Sequence, residues 1–206
     1  MEERLRTRVF VVLYVGTFIF RFAFGLSALL AITIIEKMWQ DTFATLAIIL
    51  FGISFSLIEG LFAGVTGYAT DILDARIVLL SSSIMAFMAM TIYVFAYPFG
   101  AYPMIFLLIL IIGHAIHGIA SSLKVTPTIA IISRFPSYED RAKMMGLYDM
   151  VLMFGRISGL AVAGVVYVAF AGRNNGNPLN ALFGFLMLAI IFALVGGFFY
   201  IGLPPI

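Results

Sequence analysis

The sequence predicts an all-α fold, a polytopic bundle of six transmembrane helices. Three observations carry this prediction. Hydrophobic residues make up 63% of the 206 residues and charged residues only 11%, against roughly 45–50% and about 25% in a soluble domain. The apolar residues gather into six runs, each long enough for the roughly 20 residues a spanning helix needs. The breaks between the runs are short and carry Gly, Pro, Asn and Asp, the residues of turns.

The first run, 9–35, follows Arg4, Arg6 and Arg8 and carries Arg21 inside it. A secretory signal has an apolar core of only about 7–15 residues, so this run reads as a retained helix. A break at 36–41 leads to the second run, 42–68, and a break at 71–76 to the third, 77–97. The fourth run, 104–132, follows the Pro98–Pro103 turn. The fifth, 143–171, follows a polar loop at 135–141, and the sixth, 179–203, follows the turn at 172–178. Together they make one domain over 1–206. Gly and Ser recur inside the runs, as close helix contact in lipid demands.

Charge and composition exclude several classes. A net charge of +2 is too small for a nucleic-acid binder. The absence of cysteine removes disulfides and thiolate metal sites. No nucleophile–base pair, phosphate loop or dinucleotide fingerprint appears, so neither enzyme activity nor a cofactor is expected. The expected surroundings are membrane lipids.

Orientation follows from the Lys/Arg bias of short loops. With the N-terminus inside, one side holds Arg4, Arg6, Arg8, Arg76, Arg134, Arg141 and Lys143, and the other only Lys37 and Arg173. The expectation is a multi-pass protein of the cell membrane with both termini cytoplasmic.

Some charges remain inside the spans: Arg21, Glu59, Lys124 and Arg156, with Asp149 near the inner end of the fifth. A charge at the bilayer centre costs roughly 2.5–3.5 kcal/mol on insertion scales, so these groups should face the bundle interior or water. On the fourth helix His114, His117, Ser121, Lys124 and Thr128 follow steps of three or four and share one narrow stripe. Tyr14, Thr17 and Arg21 share a stripe on the first, Ser56 and Glu59 on the second, and Asp149 and Arg156 on the fifth. Polar stripes on several spans point to a shared wet cavity. The His114–His117 pair lacks a further ligand nearby, so no metal site is expected. Histidine titrates near physiological pH, which makes His114, His117 and Glu59 candidate proton carriers. The methionines and phenylalanines read as packing and lipid-facing residues.

Four stretches carry a family resemblance. Gly67-Tyr-Ala-Thr-Asp71-Ile-Leu-Asp74-Ala-Arg76 resembles the loop signature G-x-x-x-D-(R/K)-x-G-(R/K)-(R/K) of the major facilitator superfamily, with Ile72, Asp74 and Ala75 departing from it. His114-Ala-Ile-His117-Gly118 resembles that family's fourth-helix motif R-x-x-Q-G, with His114 in the arginine position and Pro127 following. Phe135-Pro136 through Arg141 to Gly146 resembles its loop between helices four and five. Gly155-Arg-Ile-Ser-Gly159-Leu160 through Gly164 resembles the fifth-helix motif G-x-x-x-G-P-x-x-G-G, with Leu160 in the proline position. That motif is associated with exchangers, and without its proline symport is the expectation rather than antiport.

The resemblance covers most of the chain but only the N-terminal six-helix half of a usual twelve-helix transporter. It implies a nested 3+3 inverted repeat, with helices one and four lining a cavity and three and six outside. It implies a substrate or proton pathway through Arg21, Glu59, His114, His117, Ser121, Lys124 and Arg156. It also implies a gating loop at Gly67, Asp71 and Arg76, and helix packing at Gly155, Gly159 and Gly164. Alternating access in the family rocks one half against the other. Six spans are even, so two identical chains can stand parallel about an axis along the membrane normal. The expected function is therefore a secondary active transporter subunit for a small solute, working as a parallel homodimer, with doubled Arg21, His114 and Lys124 favouring an anionic solute. Two alternatives stand beside it: the isolated half of a longer or heteromeric transporter, which the ending Gly202-Leu-Pro-Pro-Ile206 also suits, and a non-transporting membrane scaffold with the same fold.

Overall fold

The computed structural model describes residues 2–39, 42–134, 138–172 and 176–205, and their side chains except those of 2–6, 138 and 139. Outside this range fall Asp41, Phe135, Pro136, Arg173 and Ile206, and the side chains of Arg4 and Arg6. The chain runs through α1 (Glu2–Met38), α2 (Thr42–Ile72), α3 (Ala75–Phe95), α4 (Pro103–Arg134), α5 (Tyr138–Tyr167) and α6 (Gly184–Gly202). A 3-10 turn at Tyr97–Phe99 follows α3, a π turn at Val168–Gly172 extends α5, and a 3-10 turn at Pro178–Phe183 leads into α6. Among the described residues there is no strand. All six segments are long and apolar enough to cross a membrane, with lengths of 25 to 33 residues.

Two connections are tighter than the sequence suggests. The break predicted at 71–76 contracts to Leu73 and Asp74, because α2 continues to Ile72 and α3 starts at Ala75. The reason is local. The Asp74 carboxylate accepts the Arg76 backbone N–H at 2.9 Å, a helix N-cap. It also accepts the Arg76 guanidinium, with Nη2 at 2.8 Å. The loop predicted at 135–141 is helical from Tyr138 onward. Asp140 stands in that first turn, where negative charge suits the helix dipole.

The principal contacts are α1 with α5, α2 with α4, α3 with α4, α3 with α6, and α1 with α6. Followed round, they place the helices in the order α2, α4, α3, α6, α1, α5, with the ring open between α2 and α5. Smaller contacts tie α1 to α2 and α4 to α5. The two helices at the opening are the least covered. Only 11% of the α2 span and 22% of the α5 span is buried inside the bundle, against 44% or more for the other four. The interior opposite the opening is aromatic: Phe20 meets Phe192 edge-on at 5.0 Å, and Tyr93 lies 4.6 Å from Phe185.

In lipid, helices associate through close packing and hydrogen bonds, since apolar side chains gain nothing by leaving apolar solvent. Glycine supplies that packing here. A Cβ on Gly155 would stand 2.6 Å from the Phe18 carbonyl oxygen. One on Gly159 would overlap the Phe22 carbonyl oxygen, and one on Gly25 the Arg156 carbonyl oxygen. So α1 and α5 meet backbone to backbone. On the other side Gly118 of α4 does the same against α2, where a Cβ would lie 2.7 Å from the Phe55 carbonyl oxygen. Gly164 takes no part in packing within the chain: it is exposed on α5, and nothing in the chain lies within 4 Å of the Cβ it lacks.

Replacing Gly159 with leucine forces α1 and α5 apart, and overpacking of this kind costs about 1–3 kcal/mol. Gly159→Leu should lower the unfolding temperature of the detergent-solubilised protein, and Gly164→Leu should leave it unchanged. Asp74→Ala removes the α3 cap at a cost of about 1 kcal/mol. It should lower the same midpoint by a smaller amount.

Candidate functional site

Arg21 stands near the middle of α1, and Gly155 and Gly25 bring α5 directly against it. The Arg21 Cβ is 3.1 Å from where a Gly155 Cβ would be. The next residue of α5 is Arg156, so helix packing sets two arginines side by side. Their Cζ atoms lie 5.6 and 5.7 Å from the centroid of one ring, Phe24. Arg21 is 7% exposed and its Nε has no hydrogen-bond partner, whereas Arg156 opens to the exterior of the chain. An aromatic face attracts a cation through its quadrupole. It does not neutralise one.

Lys124 of α4 is the third cation and is fully buried. Its Nζ donates to the Tyr148 hydroxyl at 3.3 Å and sits 4.8 Å from the centroid of that ring. Tyr148 comes from α5, so the contact bridges α4 and α5 through the bundle interior. Glu59 of α2 faces the same region, half-buried, and accepts a 2.6 Å hydrogen bond from the Ser121 hydroxyl. Arg21 is within electrostatic reach of Tyr148, Glu59 and Arg156. The structure therefore brings together Arg21, Glu59, Ser121, Lys124 and Arg156 from α1, α2, α4 and α5. The ion pairs Asp74–Arg76 and Asp71–Arg134 lie elsewhere and involve none of these cations.

His114 stands apart from this group, whereas His117 borders it, packing on the Phe24 ring that both arginines share and lying within electrostatic reach of Arg21. The α4 stripe divides at Gly118, and its upper part enters an aromatic box. His114 stacks on Phe51 at 3.7 Å with the rings 9° apart, and its Nδ1 meets the Tyr93 hydroxyl at 2.8 Å. His117 lies among Phe24, Phe55 and Phe192, with ring centroids 4.9 to 6.2 Å away. It is 0% exposed, and neither ring nitrogen has a partner. The two imidazoles are 6.2 Å apart. Among the described residues no three His, Asp or Glu side chains come together as a metal would require.

The residues assigned to a loop divide as well. Asp71 is exposed and pairs with Arg134 at the end of α4, 3.3 Å away. Arg76 is held by Asp74 and lies over the Tyr200 ring of α6 at 5.5 Å. Gly67 makes only an ordinary contact with Thr126. Near it, hydroxyls link α2 to α4: Thr66 lies 2.9 Å from Ser122 and 3.1 Å from Thr126.

Sequence reasoning missed Phe24, Gly25, Tyr93 and Tyr148. Two of them carried a signal. Gly25 is one turn after Arg21, as Gly118 is one turn after His114. Tyr148 lies seven residues before Gly155, on the helix face that α5 turns to its neighbours. Phe24 and Tyr93 had none, because aromatic residues are common throughout the chain. The grooves along α1 and α6, lined by Val12, Ile19, Leu194 and Phe198 and about 610 and 340 Å³ in volume, are mainly apolar; the larger includes Arg8, and neither includes Arg21, Glu59, Lys124 or Arg156.

Comparison of the sequence with protein-family models and with curated proteins returns no match.

Tyr93→Phe removes the hydroxyl partner of a buried imidazole, and an unsatisfied buried polar group costs about 1–3 kcal/mol. The variant should unfold at lower temperature. Adding His114→Phe should recover part of the loss, since groups in contact are not additive.

Proposed function

We propose that the chain is one half of a secondary active transporter of the major-facilitator type. Two copies stand parallel and move a small solute by alternating access between them. One observation carries the reading: charges from α1, α2, α4 and α5, none of them in an ion pair, gather within the spans, on the side where the ring of helices is open. Charges within spans are costly and mark solute or ion pathways. A scaffold has no need of them.

The pattern of helix contacts supports the same reading. Exchanging α1 with α4, α2 with α5 and α3 with α6 turns the α1–α5 contact into α4–α2 and the α1–α6 contact into α4–α3. The α3–α6 contact maps onto itself. All these contacts occur. Three spans are an odd number, so the second triplet runs inverted relative to the first, as in a nested 3+3 repeat. The matched glycines agree with it, Gly25 on α1 facing α5 and Gly118 on α4 facing α2.

In the proposed assembly the sparsely covered faces of α2 and α5 form the contact between copies, and each copy's charges face the shared cavity. The α3 and α6 helices lie outside. The Asp71–Arg134 pair stands at the membrane surface beside that contact, cytoplasmic in the expected orientation, where it can open and close with the rocking motion. Substrate flux coupled to a proton remains part of the proposal through Glu59, the titratable carboxylate nearest the cavity.

The test is the mass of the purified protein in nanodiscs, corrected for lipid. Twice the chain mass of 22.6 kDa is expected, with cysteines introduced at both termini labelled from one side only. A strict monomer would sink the homodimer and favour an isolated half or a scaffold. Position can be tested in the same chain, which has no native cysteine. Gly60→Cys on the open α2 face should cross-link two copies on mild oxidation, whereas Leu194→Cys on α6 should not.

A further inference from the structure

The arrangement around Phe24 goes beyond the general transport reading and names a substrate class for that same site. We propose that Arg21 and Arg156 form a clamp for the acidic group of the solute, a carboxylate or a phosphate.

The first argument is charge. Both guanidinium carbons lie within 6 Å of one ring centroid, so their separation is at most the sum of 5.6 and 5.7 Å. Lys124 adds a third positive group within electrostatic reach of Arg21. Against three cations the region holds Glu59, already bonded to Ser121, and Asp149, exposed on α5 near Tyr148. Like charges held together in a low dielectric repel strongly, and removing them from water costs several kcal/mol per ion. An anion between them relieves both costs. A cationic solute would add to them.

The second argument is geometry. A guanidinium is a planar fork of N–H donors that matches two oxygens of a carboxylate or phosphate at once. The Nε of Arg21 is buried and free of any partner. The backbones that carry the two arginines are held close because α1 and α5 touch backbone to backbone at Gly25, Gly155 and Gly159. Both guanidiniums stand over the Phe24 ring, and the Arg21 side chain also bonds to Tyr148, which leaves its Nε as the donor without a partner. Arg156, the exposed member, gives access, and Arg21 gives depth. Lys124 is fully buried on the α4 side and shares Tyr148 with Arg21 as a hydrogen-bond partner.

The third argument is depth. Arg156 is central in the span Asp140–Gly172, about 24 Å from either end at 1.5 Å per residue. A phosphate carried by a bilayer lipid sits at the membrane surface, whereas a soluble anion reaches the centre through a wet cavity.

The experiment uses the full chain in nanodiscs of zwitterionic phosphatidylcholine. The probes are inorganic phosphate, benzoate, phenyl phosphate and citrate, with benzylammonium as the cationic counterpart of benzoate. Affinity is read by calorimetry and by the shift in unfolding temperature. At least one of the four oxyanions should bind and raise the midpoint, and benzylammonium should not. Arg156→Gln, at an exposed position that tolerates change, should weaken that binding by about tenfold or more. Arg156→Lys should recover part of it. Lys37→Gln, at the exposed end of α1, should have no effect. Binding of benzylammonium equal to benzoate, binding of no oxyanion, or unchanged affinity in Arg156→Gln would each overturn the clamp. Those failures leave the two-copy assembly standing, since it is read separately by mass and cross-linking. Repeating the titration with phosphatidylglycerol in the bilayer separates the sources. Competition identifies a lipid phosphate as the occupant of the clamp, and its absence identifies a soluble anion.

Discussion

The contact of α1 with α5 through Gly25, Gly155 and Gly159 is the constraint on which the other features rest. In water a pair of apolar helices is driven together by burial. In lipid that force is absent, and the pair is held by dispersion contacts that require near approach. Each glycine removes the Cβ that would stand against the opposing carbonyl. The resulting proximity is what places Arg156 beside Arg21. A larger residue at Gly155 or Gly159 would separate the helices and the two guanidiniums together, so packing and charge arrangement share one cause.

The α2–α4 contact repeats this on the other side of the ring, with Gly118 against the Phe55 carbonyl and hydroxyls of Thr66, Ser122 and Thr126 alongside. The hydroxyl contacts matter because a polar side chain in hydrocarbon must find a partner within the protein. Two tightly packed pairs, joined through α3 and α6, leave α2 and α5 with an uncovered face each. Bundle architecture and an open polar side are thus consequences of the same choice of contacts.

Polar groups in the interior then divide by environment. The histidines sit among aromatic rings, with Tyr93 satisfying one of them. The charged groups sit nearer the opening, with tyrosine, serine and the Phe24 face as their partners. The two surroundings meet along a single helix, α4, at His117, which packs on the Phe24 ring that the arginines share, one turn before Ser121. A stripe of polar residues on one helix face can therefore serve two different surroundings, because neighbouring helices cross it at an angle and cover only part of its length.

Much of the fold was legible in the sequence. Apolar runs of membrane length report on solvent, and solvent is a property of composition rather than of contacts. That is why six spans could be placed with ends within a few residues, and why Arg21, Glu59, Lys124 and Arg156 stood out as charges inside them. Helical periodicity likewise aligned Ser121 with Lys124, and Gly155 with Gly159. Contacts between helices were not legible. Nothing in the sequence distinguishes Gly159, pressed on the Phe22 carbonyl, from Gly164, facing open space, since the difference lies in where α1 crosses α5. Nor could it show that Arg21 and Arg156 converge on Phe24, that Lys124 meets Tyr148, or that His117 is sealed among rings. Local order along one helix follows from the backbone's own period. The meeting of side chains from separate helices follows from crossing angle and close packing, and only the assembled bundle decides those.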